Sequence, residues 1–311
     1  MVQCYKFTFL IKKGAIILNG WVIYNGHLAA EAFLQFPKQI KKTGSEKNIE
    51  INVVANNHLC YQATKNGVYL KHAEGWELPS FVIFHDKDIA LARQLELLDI
   101  PVYNNAQSIE ICDNKVLMYQ HLAKKNVNIP KTVIAPKIFS NTTTIELESF
   151  LTLAKEFSYP FIMKEGYGSF GEQVYLIHNE EEYIARIKAI YDKPFVLQEF
   201  VDSSYGRDIR IFVVGDKVVA GLKRSSDIDF RANVYLGSKV EGYHASPAEK
   251  ELAVAAAKAV GATYCGVDLL IGKNGEPIIC EVNTNAHVAN ILKHTGVNVA
   301  EPILDHIITQ L

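Results

Sequence analysis

A short turn near the C-terminus constrains this chain more than any other segment. Cys265-Gly-Val-Asp-Leu-Leu-Ile271 alternates in the manner of a strand, and so does Pro277-Ile-Ile-Cys-Glu-Val-Asn283. Between them stands Lys273-Asn274-Gly275-Glu276, and Asn-Gly is the strongest local signal for a two-residue hairpin loop. Pairing Lys273 with Glu276 and counting outward sets Leu270 opposite Ile279 and Asp268 opposite Glu281. Opposed side chains share one face, with Cβ atoms about 5 Å apart, and Asn283, two residues beyond Glu281, points the same way. Two carboxylates at that range repel by roughly 3 kcal/mol at an effective dielectric near 20. A hard cation held by oxygen ligands, Mg²⁺ shared with substrate phosphates, would account for them. Two plainer readings stay open: both carboxylates face water, or they share a proton. Leu270 and Ile279 on the same predicted face count against the first.

The 311 residues leave room for one large or two to three small domains. A hydrophobic share of 49% with 21% charged residues describes an ordinary globular protein. The formal net charge of −2 argues against binding nucleic acid or anionic membrane through bulk charge. No apolar run approaches the roughly eighteen residues that span a bilayer, and the stretches around Lys6, Lys12 and Lys13 are too short for a signal peptide. Cys4, Cys60, Cys112, Cys265 and Cys280 form no CxxC and no regular spacing. They read as reduced thiols of a cytoplasmic protein.

Residues 14–108 alternate strand and helix signals. Gly14 to Leu18 reads as a short buried strand leading into Asn19-Gly20, Ile49 to Ala55 and Ser80 to Phe84 as further strands. His27 to Lys42 and Asp86 to Leu98 have helical spacing, the first interrupted at Pro37. That order predicts an open, largely parallel sheet with helices. Asp113 can cap a helix running to about Lys125. Strands are expected at 131–135, 160–164, 173–177 and 195–199, with helices near 144–157 and 179–191. From Arg207 the pattern turns antiparallel: 209–214 and 217–222 meet at Gly215-Asp216, a II′ turn signal. An alanine-rich helix follows at 248–260, then the carboxylate hairpin and a terminal helix from about Val299. Three lobes are expected: α/β over 1–112, small α+β over 113–200, and antiparallel over 201–311.

Residues 166–171, Gly-Tyr-Gly-Ser-Phe-Gly, spell G-x-G-x-x-G. A dinucleotide site needs a helix directly after the glycines, whereas Glu172 to Ile177 is a strand pattern. A glycine loop between strands is instead the flap type that covers nucleotide phosphates, or simply a mobile hairpin. Lys164 ends the apolar strand before this loop, aimed at a phosphate or snorkelling to water. Phe195 to Val201 is an apolar strand with Gln198-Glu199 at its end, able to offer backbone groups to an adenine edge. With Gly215-Asp216 as the turn, Asp208 falls opposite Lys223 and Arg210 opposite Gly221, which would make Asp208–Lys223 a cross-strand ion pair. The loop Lys223 to Asn233 is rich in arginine, which suits bidentate recognition of phosphate and carboxylate; a solvated loop has the same composition.

Lysine, glycine flap, Gln-Glu hinge, Asp-Ile-Arg, arginine loop and Asp…Glu-x-Asn follow one another in an order that resembles the ATP-grasp superfamily, specifically the RimK-like carboxylate–amine ligases. The resemblance spans about 113–308, and the N-terminal third is similar to the family's pre-ATP-grasp domain in general character. It implies a multi-domain α/β and α+β chain with the ATP-grasp fold behind an N-terminal α/β domain. It further implies that Lys115 and Lys164 contact ATP phosphates beneath a flap containing Gly168 and Ser169. Gln198, Glu199, Phe200 and Val201 would form the adenine hinge, with Asp208 a nearby nucleotide contact. Arg231, Ala232 and Asn233 would meet nucleotide and phosphates, and Asp268, Glu281 and Asn283 would hold two Mg²⁺ or Mn²⁺ ions. The implied chemistry is attack of a substrate carboxylate on the γ-phosphate, then displacement of phosphate by an amine to give an amide. Arg224 and Arg231 are the candidates for steadying the acyl phosphate.

The expected partners are a small carboxylate and a small amine, or a peptide or protein acceptor, in a homo-oligomer of the kind related ligases form. An amino acid of the glutamate type joined to a peptide, protein or cofactor is the leading expectation. A glutathione-synthetase-like or D-Ala-D-Ala-type ligase, or a non-catalytic ATP-binding module, are the alternatives. After Glu281-Val-Asn283 the better-known ligases continue through small residues and Pro-Gly, where this chain has Thr284-Asn-Ala-His287-Val. His287 either lines an acceptor pocket or simply begins a helix.

Overall fold

The apolar run Trp21-Val22-Ile23 is buried without remainder, and it forms the middle of the first sheet. In the computed structural model, which describes residues 10–12, 15–28, 30–142, 144–234 and 237–311, a ribbon of β1 (Leu10–Lys12) and β2 (Ala15–Ile17) comes first. Cys4, Lys6, Lys13 and Gly14 lie outside the described residues. Asn19-Gly20 opens β3 (Asn19–Tyr24). The ring of Phe81 leaves no room for a side chain at Gly20, where a Cβ would overlap Phe81 Cζ.

α1 (Glu31–Glu46) runs through Pro37 and leads to β4 (Glu50–Ala55). The antiparallel hairpin β5 (Leu59–Thr64) and β6 (Gly67–His72), which sequence patterning passed over, stands apart from the main sheet. β7 (Phe81–His85), α2 (Ile89–Glu96) and β8 (Val102–Tyr103) complete the lobe. The strand order β4-β3-β7-β8 is parallel throughout, as the alternation of strand and helix requires.

α3 (Ala106–Asp113) and α4 (Lys115–Lys124) meet at Asn114. Asn114, not Asp113, caps α4, its side chain accepting from the backbone N–H of Val116 and Leu117. The central sheet, ordered β11-β10-β12-β9, is built from β9 (Thr132–Ile134), β10 (Phe161–Glu165), β11 (Val174–Ile177) and β12 (Phe195–Gln198). α5 (Leu147–Ala154) and α6 (Glu180–Ile190) cover it, packing Phe150, Tyr183 and Ile187 onto Phe161, Met163 and Leu197.

The last sheet, ordered β15-β14-β13-β16-β17, contains β13 (Arg207–Val214), β14 (Lys217–Ser225), β15 (Lys239–Gly242), β16 (Tyr264–Ile271) and β17 (Pro277–Asn283). α7 (Pro247–Val260) packs its alanines against it behind a Ser246/Glu249 capping box; α8 (Ala289–Thr295) and α9 (Ala300–Ile308) close the chain.

Two registers differ from the simple count. The β16–β17 loop is Lys273 to Gly275, with the Gly272 N–H donating to the Glu276 carbonyl at 2.8 Å, so Ile271 faces Pro277. Leu270 therefore pairs with Ile278 rather than Ile279, and Leu269 with Ile279. A bulge then places Cys280 as an extra residue on β17, and Asp268 returns to its place opposite Glu281. In β13–β14, Val214 faces Lys217 and Gly215 takes φ +58°. Beyond Val213–Val218, however, β14 carries one extra residue at Val219, so Asp208 meets Arg224, not Lys223, and Arg210 meets Leu222, not Gly221.

The first sheet is fastened to the last by Asn104, fully buried at the end of β8. Its Nδ2 donates to the carbonyls of Tyr264 (2.8 Å) and Thr284 (3.4 Å), and its Oδ1 accepts from the N–H of Thr263 (2.7 Å) and Tyr264 (3.2 Å). The Tyr264 hydroxyl returns a bond to the Phe84 carbonyl at 3.0 Å. Asn104→Ala strands these backbone groups out of water, so it should lower unfolding stability by roughly 2–4 kcal/mol. Urea titration reads this directly; a loss under about 1 kcal/mol would contradict the fastening role.

Candidate active site

The β16–β17 pair forms the floor of the site. Asp268 is buried, and the guanidinium of Arg210, directly across the β13–β16 ladder, grips both its oxygens at 2.7 Å. Arg224 adds a third contact, Nη2 to Oδ2 at 3.0 Å, and grips both oxygens of Asp208 at 2.6 Å. Glu281 meets the buried ammonium of Lys115 at 3.3 Å. The mutual repulsion of the two carboxylates is thus relieved by cations of the chain itself. Burial pushes Asp268 up, but Arg210 and Arg224 more than reverse it and hold the carboxyl well below its ordinary range. Burial likewise acts upward on Glu281, and Lys115 with Lys164 draws it below the usual value. Asp208 has a single guanidinium, and burial wins there, pushing it to about 6.

Sequence reading does not single out Arg210. Its two-residue spacing from Asp208 puts both on one face of β13, but that β13 lies beside β16 is a fact of strand order. Lys223, expected beside Asp208, instead faces Glu241 at 3.6 Å on the exposed side. Lys164 neither snorkels nor reaches solvent: it is buried, with Nζ donating to the Tyr119 hydroxyl at 2.9 Å beside Cys280 Sγ at 3.9 Å. Tyr119 in turn donates to the Cys280 carbonyl at 2.6 Å. This anchors the lysine from the central sheet onto the carboxylate hairpin.

The glycine segment connects β10 to β11, as a flap does. Lys115 Nζ donates to the Gly168 carbonyl (3.4 Å), Lys87 Nζ to Ser169 Oγ (3.2 Å), and Arg231 to the Gly171 carbonyl. Phe170 lies 5.8 Å from the His287 ring. Gly171 takes φ +76°, a conformation that favours glycine, and a Cβ there would meet the Asn233 amide nitrogen. Arg231 is also bound by Asp229 at 2.8 Å, Ala232 is buried, and Asn233 is half-buried. The flap therefore lies against Lys115 and the arginine loop.

At the end of β12, Gln198 is buried with its amide nitrogen spent on Thr132 Oγ1 at 2.8 Å, while Glu199 is exposed and its N–H is bound to the Lys131 carbonyl at 2.9 Å. Phe200 and Val201 are half-buried, and the Phe200 ring stands edge-on to Tyr205 and Phe230. His287 does not begin a helix: α8 starts at Ala289, and the imidazole sits between Phe33 and Phe170.

Asp268, Glu281 and Asn283 together form a hard oxygen donor set. Among the described residues no three His, Cys, Asp or Glu side chains converge on a metal site. Asn283 Nδ2 is buried without a hydrogen-bond partner among the described residues, so its amide is not committed to one orientation. Each carboxylate oxygen has two lone pairs, so the arginine bonds leave Asp268 capacity toward a cation. These residues fit a divalent ion.

Arg224→Leu leaves Asp208 buried without a counter-charge and should lower stability by roughly 3–5 kcal/mol. Lys223→Leu, which simple turn counting would have made the damaging change, should shift it by less than about 0.5 kcal/mol. Chemical unfolding of the two variants side by side separates the registers.

The RimK-like ATP-grasp domain model matches residues 112–307. A protein of Shewanella amazonensis named a probable alpha-L-glutamate ligase 2 is 33% identical over 261 residues, covering 80% of this chain and 83% of that protein. The fold is shared with the VanG D-Ala:D-Ser ligase from Enterococcus faecalis, at a TM-score of 0.73 and 17% identity over 95% of this chain and all of that one. It is also shared with the ATP-grasp ligase PsnB, solved with a precursor variant, Mg and ADP, at a TM-score of 0.67 and 17% identity over 94% of this chain and 98% of the other. The chain belongs to the RimK-like ATP-grasp family of carboxylate–amine ligases.

Proposed function

We propose that the protein uses Mg-ATP to join an amino acid of the glutamate type to a peptide, protein or cofactor through an amide bond. The observation that carries this reading is the gathering of Lys115, Lys164, Arg210 and Arg224 around Asp268 and Glu281, under a glycine flap tied down by Lys115 and Arg231. The name of the Shewanella relative supports the glutamate class, and the Mg and ADP bound by PsnB support the nucleotide and ion. We take residues 1–112, 113–200 and 201–311 as the three working lobes, a division that the family match from residue 112 supports.

Phosphoryl transfer needs positioning and charge neutralisation more than covalent help from the protein. Lys115 and Lys164 bear on the nucleotide phosphates from the floor, while the flap backbone excludes water above them. Gln198 to Val201 form the adenine wall, and Asp208 works through Arg224. Asp268, Glu281 and Asn283 would hold the divalent cation, which supplies neutralisation of charge on the phosphoryl oxygens. Arg224 spends its Nε and Nη2 on Asp208 and Asp268, so its part is to orient Asp268. Arg231, tied to the flap, and Arg210, at the rim, are the guanidinium groups placed to steady an acyl phosphate.

The test is ADP release with Mg-ATP against a panel of amino acids, dipeptides and small amines, with product masses determined. A new amide is expected. Glu281→Gln, which keeps shape and removes charge, should reduce its formation by roughly 100-fold or more. ATP binding without ADP release from any pair would sink the ligase reading for small acceptors and leave either a protein acceptor or an ATP-binding module in its place.

A further inference from the structure

One cavity of the molecule is not absorbed by the nucleotide site. It has a volume of about 30 Å³ and opens at the C-terminal edge of the first sheet, lined by Asn25, Phe33, His85, Asp86, Asn285 and His287 among others. That is space for one small polar head group and far too little for a nucleobase. Open parallel sheets bind ligands at this edge. Two of its walls, Asn285 and His287, belong to the segment directly after Asn283. Arg210, which grips Asp268, lies close enough to His287 to help keep that imidazole neutral along with burial. The cavity therefore adjoins the reacting end of the site.

Its polar groups are arranged for a cation. Asp86 is buried at 6% exposure. Its Oδ1 accepts from Asn25 Nδ2 (3.2 Å) and the Lys87 N–H (2.8 Å), and its Oδ2 from Asn56 Nδ2 (3.1 Å). Among the described residues no lysine, arginine or histidine pairs with it; Lys87 turns its ammonium away, to Asp113 at 2.5 Å and Ser169. A carboxylate with about four lone-pair sites and three neutral donors retains one acceptor site, and burial, the largest influence on Asp86, raises its pKa, which a cation alongside would reverse. Beside it, His85 Nδ1 is buried with no hydrogen-bond partner among the described residues. Burial, and then His287, lower the His85 pKa to about 3, so the ring is neutral, and in the tautomer protonated on Nε2 its Nδ1 is an acceptor. A buried, unpaired charge is expensive, as is an orphaned polar atom. A primary ammonium, with three donors and one positive charge, relieves both at once.

We propose that this cavity binds the primary ammonium of the amine substrate, with Asp86 as counter-ion and His85 Nδ1 as second acceptor, and so selects substrates bearing a free amine; the ammonium passes one proton to the Asp86 carboxylate before its nitrogen attacks. The inference rests on the ligase reading only for which substrate carries that amine. Phe33 lines the cavity and lies 5.3 Å from the His287 ring, and Phe170 of the flap lies 5.8 Å from the same ring.

Calorimetric titration of the full chain with L-amino acids, glutamate first, each paired with its N-acetyl derivative, tests the subsite without turnover. At least one free amine should bind about tenfold or more tightly than its acetylated partner. Asp86→Asn should bring that ratio toward one. His85→Phe, which keeps the ring packing on Phe36 at 4.2 Å and deletes the acceptor, should reduce it severalfold. Mg-ADP affinity in the same samples reports whether each variant is folded. No preference for the free amine in any pair, or its survival in both folded variants, overturns the proposal. Amide synthesis by wild type without such a preference removes the subsite and leaves the ligase; the preference without ADP release does the reverse.

Discussion

Four side chains, Asp208, Arg224, Asp268 and Arg210, form a chain of alternating charge across three neighbouring strands, buried at Arg224 and Asp268 and half-buried at its two ends, and the site is arranged around it. Each guanidinium is held at two points, so neither can rotate without breaking a charge-assisted bond. Desolvating four charges gives little net stability, but removing any one leaves another stranded. What the network provides is position. Asp268 is presented at one place on the floor, opposite Glu281, with its one remaining lone pair available.

The flap takes its meaning from this floor. Lysines and an arginine from three separate regions, Lys87, Lys115 and Arg231, reach its backbone or its serine, so its closed position senses the first lobe, α4 and the arginine loop together. Lys115 links flap to floor, because the same ammonium meets Gly168 and Glu281. A phosphate arriving between them would compete for that ammonium, which couples nucleotide entry to flap position. Asn104 matters for a related reason: by pinning the edge of the first sheet to β16 and the Thr284 carbonyl, it sets the distance between Asp86 and the segment after Asn283, across which the small cavity opens.

The placement of Asp268 opposite Glu281 was legible from the sequence, though two deviations had to cancel. The loop is one residue longer than an Asn-Gly two-residue turn, and the bulge at Cys280 restores the register. In β13–β14 nothing cancels the bulge at Val219, so turn counting paired Asp208 with the wrong cation. Bulges arise where a strand must bend to follow its neighbours, and neither strand's own residues announce one. The hairpin 59–72 escaped sequence patterning because its Leu59 and Leu70 gain burial from α2 and the first sheet rather than from a face of their own.

The sequence by itself determined alternation, turn positions, the type of each lobe and the residues that carry charge, because these follow from period, backbone freedom and side-chain chemistry within a few residues. It could not decide which strand lies beside which, and therefore could not bring Arg210 to Asp268, Tyr119 to Lys164 or His85 to His287. Those meetings join residues separated by 58, 45 and about 200 positions, and only packing of complete sheets selects them. The ionic floor, the anchored lysine and the buried Asp86 among neutral donors are properties of tertiary structure for that reason: a charge becomes unusual only once its surroundings have excluded water.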